Sequence, residues 1–68
     1  MPRLASSAVE FVRYDDRRRQ LIVGFRGRPR PYRYEGVPQN VYRELLGAES
    51  AGRYFNDHIR DRYPFTEL

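Results

Sequence analysis

The chain has 68 residues, no cysteine and a formal net charge of +4. That length makes one domain, which buries only about 60% of the surface its unfolded form exposes and has neither a disulfide nor a zinc site to staple it. No apolar run approaches the roughly 18–20 residues of a membrane span, so a soluble protein of the reducing cytoplasm, without a membrane partner, is expected.

All thirteen basic residues are arginine. Their distribution carries more information than their number. Residues 1–34 hold nine arginines against Glu10, Asp15 and Asp16, whereas residues 35–68 hold four against six acids. A basic half beside an acidic one points to a surface that meets something acidic.

Residues 1–7 show no periodicity and read as a loose leader, leaving 8–68 as the domain. Residues 8–14 (AVEFVRY) are rich in β-branched and aromatic side chains, as a strand requires. Their apolar members Val9, Phe11, Val12 and Tyr14 do not alternate cleanly, which admits a β-bulge. DDRRR at 15–19 is a polar turn without glycine. Residues 20–26 (QLIVGFR) form a second strand with Leu21, Val23 and Phe25 on one face. GRPRP at 27–31 is a loop, punctuated by its glycine and prolines. Residues 32–35 (YRYE) make a short third strand, and the short connections favour an antiparallel meander.

The period then changes. Pro38 suits the first turn of a helix, and Val41, Tyr42, Leu45 and Leu46 give that helix an apolar stripe that ends at Gly47. Ser50 is a good N-cap for a second helix, with Ala51, Tyr54, Phe55, His58 and Ile59 on one side and Arg53 and Asp57 paired outside. Pro64 stops it at Tyr63. The tail FTEL packs through Phe65. The expected fold is therefore α+β: a three-stranded antiparallel β-meander followed by two helices on one sheet face, β-β-β-α-α.

Two registers are open at this point, because a slip of one residue exchanges the sheet faces. With Leu21, Val23, Tyr32 and Tyr34 under the helices, the open face shows Glu10, Val12, Tyr14, Ile22, Gly24, Arg26 and Arg33. So small a core can hardly spare two tyrosines, which favours this arrangement, with Arg33 directed outward.

Catalytic constellations are not legible. His58 is the only histidine, no cysteine nucleophile exists, and Asp15 and Asp16 sit beside three arginines as a solvated turn. GFRGRPR leads into a strand, so it is no phosphate loop. No cofactor, metal or small-molecule substrate is expected, and the chain does not read as an enzyme. The better class is binding. Arg17, Arg18 and Arg19 lie on one meander loop, and Arg26, Arg28 and Arg30 on or next to the other. Consecutive loops fall at opposite sheet ends, so the two clusters bracket the sheet, with Arg33 between them and Tyr14 as a candidate stacker. Cationic sheets with aromatic rings suit single-stranded RNA or DNA. The competing reading is a protein-interaction or self-association module that uses the open face or a free strand edge.

Ser6-Ser7, Tyr14-Asp15, Leu-x-Val-x-Phe at 21–25, Tyr32-Arg33-Tyr34, Gly36-Val37-Pro38 and SAGRYFNDHIRDRYP at 50–64, in that order, resemble the KTSC domain. This family is named for the C-terminus of some lysyl-tRNA synthetases and also occurs as small free-standing bacterial and phage proteins. The resemblance implies RNA binding, to tRNA or a single strand, by association with the synthetase. It does not imply aminoacylation, since the 68 residues hold no synthetase catalytic domain. The family's central YxY falls on Tyr32 and Tyr34, and its C-terminal motif on Gly52, Arg53, Tyr54, Phe55, Asn56 and Ile59. Tyr54 and Phe55 read as core, and Asn56 as an amide that fastens a strand end or loop to the second helix. The GRPRP loop is longer and more basic than the family's usual turn, so its charge is a feature of this chain.

Overall fold

A computed structural model describes residues 8–68; the expected leader at 1–7 lies outside them. The chain forms β1 (Val9–Asp15), β2 (Gln20–Phe25), β3 (Tyr32–Glu35), α1 (Gln39–Gly47), α2 (Ala51–His58) and β4 (Phe65–Glu67). One antiparallel sheet runs in the order β1-β2-β3-β4. The α+β class and the meander agree with the sequence, but the sheet has four strands rather than three. The tail pairs with β3 through Tyr32↔Glu67, Arg33↔Thr66 and Tyr34↔Phe65. Two backbone bonds flank this pairing: Glu35 N donates to Pro64 O at 2.9 Å and Leu68 N to Pro31 O at 2.9 Å.

Cross-strand partners share a face, so the register assigns the side chains. Tyr14, Leu21, Tyr34 and Phe65 form one row, and Val12, Val23 and Tyr32 the next. The expected bulge is present between Val9 and Phe11, where the register shifts. It turns Val9 onto the same side as Val12 and Tyr14. That side meets both helices. The core consists of Val9, Leu21, Val23, Tyr34, Val37, Leu45, Ala51, Phe55 and Ile59. The open face is therefore corrected at two places. Val12 and Tyr14 point under the helices and pack against the core, while Phe11 and Arg13 take their places outside.

Turns secure these strands. The Asp15 carboxylate accepts backbone bonds from Arg17 N at 3.0 Å and Arg18 N at 3.1 Å, replacing the glycine that this turn lacks. Arg19 then takes a left-handed conformation at φ 54°, costing about 1–2 kcal/mol for a residue with a Cβ. Its carbonyl accepts from Val37 N at 2.9 Å, and Val37 O accepts the Tyr14 hydroxyl at 2.6 Å. The chain leaving β3 is thus clamped to the β1–β2 turn before it enters α1.

Pro38 stands at the N-cap of α1 in extended conformation. Leu45 is buried, while Val41 and Tyr42 pack partly buried against the core. Ser50 caps α2 as expected, accepting from Arg53 N at 3.2 Å. That helix ends at His58, before the expected stop. Ala51 and Phe55 on α2 and Ile59 just beyond are buried, while His58 is exposed and stacks on Tyr54 with ring centroids 4.5 Å apart.

On the open face a Cβ placed on Gly24 would run into the ring of Phe11, its cross-strand partner. Gly24→Ala should therefore cost about 1–3 kcal/mol, the usual scale of overpacking. Thermal melts should show a drop of roughly 4–8 °C for each kcal/mol in a domain this small. In a Phe11→Ala background the same substitution should be near neutral, because the ring is gone and alanine lacks glycine's entropic cost. Additive losses in the double variant would show that the Phe11 ring does not occupy this space.

Candidate functional site

Two surfaces collect the residues singled out by the sequence. The first is the sheet face opposite the helices. Arg13, Ile22, Arg33 and Thr66 make one cross-strand row across it. Phe11 and Gly24 lie on one side of that row, and Asp15, Gln20 and Glu35 on the other. Arg33 Nε lies 2.7 Å from Glu35 Oε2, and Gln20 Nε2 donates to Glu35 Oε1 at 3.0 Å. These two donors, Arg33 first, hold the Glu35 carboxyl below its ordinary pKa, despite a small opposing effect of burial. Glu35 therefore remains an anion that partly offsets the arginine row. Arg17, Arg18 and Arg19 are exposed at one end of the sheet, and Arg26, Arg28 and Arg30 at the other. The two clusters bracket the face and do not merge.

Tyr14 is not a free stacker on this face. Its ring lies against Tyr42, with centroids 4.7 Å apart and planes 11° from parallel, on the helix side. Its hydroxyl is engaged with Val37 O. Burial pushes its pKa upward, against the nearby Arg19 charge. The aromatic side chain of the open face is Phe11, on the side of β1 opposite Val12 and Tyr14.

The second surface is a cleft on the helix side at the β3–β4 end, about 520 Å³ in volume. Its lining includes Tyr32, Tyr34, Gly52, Phe55, Asn56, Phe65, Arg28, Arg60 and Asp61. The family-motif residues therefore converge here, apart from Arg53, Tyr54 and Ile59. Tyr34 is only 4% exposed, as expected of a core ring, whereas Tyr32 is half-buried at the rim. Burial raises the pKa of Tyr34, with Tyr32 adding to the shift and Arg60 opposing it. Asn56 departs from expectation. It is exposed, and its Oδ1 accepts from Arg60 Nη1 at 3.0 Å, so it orients an arginine instead of fastening a loop. Arg60 and Phe65 were not singled out as site residues, because only the return of the tail as β4 gives them a shared location.

Tyr54 lies outside the cleft, half-buried against the core, and its hydroxyl donates to Glu44 Oε1 at 2.8 Å, joining the two helices. Among the described residues no group of three or more His, Asp or Glu side chains could hold a metal ion. Nor is any helix among them long and apolar enough to cross a membrane.

The KTSC domain family model matches residues 5–63. The chain belongs to the KTSC domain family. A protein of Tsukamurella paurometabola is 38% identical over 68 residues, the full length of both chains. A protein of Stutzerimonas stutzeri is 38% identical over 60 residues, covering 88% of this chain and 83% of its own. The fold is similar to the crystal structure of a KTSC domain protein from Yersinia pestis, with a TM-score of 0.88 at 30% identity. That match covers 93% of this chain and 87% of the other.

Burial, the hydrogen bond to Glu44 and that carboxylate's charge push the Tyr54 pKa up to about 12 from 10.0. The fold favours the neutral phenol, so this contribution to stability is complete below about pH 10 and is lost as the pH rises towards 12. Titration of tyrosinate absorbance should show a late step that Tyr54→Phe removes and Glu44→Gln moves to lower pH. An unchanged late step in Tyr54→Phe would assign it to another tyrosine.

Proposed function

We propose that this KTSC domain protein is a small, non-catalytic cytoplasmic module that binds RNA or another single-stranded nucleic acid. The observation that carries this reading is the cross-strand row of Arg13, Ile22 and Arg33, next to Phe11, on the face opposite both helices. Arginines meet phosphates bidentately and aromatic rings stack with unpaired bases. The loop clusters Arg17, Arg18, Arg19 and Arg26, Arg28, Arg30 extend the cationic surface beyond both ends of this row. Their charge supplies affinity that does not depend on sequence. Phe11 replaces Tyr14 as the stacking side chain.

A second reading has its own support. β4, an edge strand among the described residues, exposes Phe65 by 55%, with Leu68 beyond it exposed by 39%, and an exposed apolar edge can dock a protein or a second copy.

Fluorescence titrations of labelled single-stranded RNA and of tRNA, at two salt concentrations, separate these readings. On the first, log affinity falls with log salt by roughly 0.7 per phosphate neutralised on a single strand. Joint charge reversal at Arg13, Arg17, Arg18 and Arg19 should weaken binding at least tenfold, an effect on the order of 1.4 kcal/mol. Binding that is undetectable at low salt, or that ignores the charge reversal, overturns this reading. A dimer by mass measurement, combined with no nucleic-acid binding, establishes the second.

A further inference from the structure

Among the described residues, the helix side of the sheet is incompletely closed. Its cleft of about 520 Å³ falls within the range of roughly 300–1,000 Å³ typical of small-ligand sites. Tyr34 and Phe55, in edge contact at 5.2 Å, belong to both the core and the cleft lining. Phe65 is different. Register holds it opposite Tyr34, and its centroid lies 5.5 Å from those of both Tyr32 and Tyr34, yet its residue is 55% exposed. It is a positioned ring facing water.

Two arginines line this cleft. Arg28 comes from the β2–β3 loop, and Arg60 from the turn after α2, where Asn56 holds it at 3.0 Å. Asp61 is the acid of the lining, leaving a net positive charge. An aliphatic ligand would use the ring and leave the arginines idle, while a bare anion would do the reverse. A group that is both flat and anionic uses both.

We infer that the cleft takes one unstacked nucleotide of a single strand, its base against Phe65 and its phosphate at Arg28 and Arg60. The inference deepens the nucleic-acid reading and rests on it for the strand, but it places the base on the opposite side of the sheet from Phe11. This location gives it a separate test.

Binding of hexauridylate and of inorganic polyphosphate should be compared in the full chain, Phe65→Leu and Arg60→Gln, with thermal melts confirming the fold. Phe65→Leu keeps an apolar side chain in β4 and removes the π-face. It should weaken hexauridylate binding roughly 5- to 150-fold, the worth of one stacked base, and leave polyphosphate binding unchanged. Arg60→Gln should weaken both. Hexauridylate binding unchanged in Phe65→Leu overturns the cleft proposal and leaves the open-face reading intact. If the wild-type chain binds no hexauridylate at low salt, the nucleic-acid reading fails, and an NMR titration with uridine monophosphate decides the cleft. Amide shifts centred on Phe65 and Arg60 then uphold it; their absence overturns it.

Discussion

The bulge in β1 is the constraint on which the remaining structure depends. Strict alternation would put Val9 on the same face as Phe11 and Arg13 and divide the apolar side chains of β1 between core and water. One extra residue places Val9, Val12 and Tyr14 together. A domain with so few large apolar groups needs all three inside. Once Tyr14 points inward its hydroxyl reaches Val37 O, and Val37 N in turn binds Arg19 O. A packing requirement in the first strand thus fixes where the chain enters the first helix, whose Leu45 joins the core.

Tyr34 occupies the corresponding position at the other side of the sheet. It pairs with Leu21 on one side and Phe65 on the other, and lies edge-on to Phe55 of α2. The YxY spacing therefore does two things at once. Its tyrosines close the core at the β3–β4 end, and Arg33 between them is sent to the opposite face. There it meets Glu35, whose lowered pKa keeps the pair charged down to acidic pH. At the low dielectric cost of a half-exposed site, that pair orders the arginine more than it neutralises the row.

Much of this was legible in the sequence because it depends on local chemistry. The β2 and β3 alternation, the Ser50 cap, the breaks at Gly27 and Pro38 and the inward tyrosines each follow from a few neighbouring residues. What was missed depends on distant ones. β4 has three residues, all exposed, directly after a proline, and becomes a strand only because β3 presents an open edge. Alternation within β1 alone leaves the face of Tyr14 open; pairing of Val12 with Val23 and of Tyr14 with Leu21 turns it inward. The α2 stripe is narrower than helical spacing predicts: Ala51, Phe55 and Ile59 fill the available core, leaving His58 outside against the Tyr54 ring. Asn56 went astray for a similar reason, since its partner Arg60 is set by the turn that ends the helix.

The missed strand also alters the chemistry of the arginine-rich β2–β3 loop. With three strands, that loop would sit at the end of a sheet whose third strand was its edge, and its charges would serve the open face alone. Adding β4 builds a wall on the helix side and turns the same loop into the boundary between two surfaces. Arg28 lines the cleft, while the row of Arg13 and Arg33 lies across the opposite face. Gly27 at φ 84° and the bond from Arg28 N to Phe25 O at 3.1 Å set the turn that carries Arg28 to that boundary. Pro29 and Pro31 restrict the backbone that follows, so this charge is held with less entropy left to lose on binding. A single strand is flexible enough to follow such an edge from one face to the other, whereas a duplex is too stiff to turn within a domain of this size. On the proposed function, this arrangement of the arginines favours unpaired nucleic acid through geometry, before any base is read.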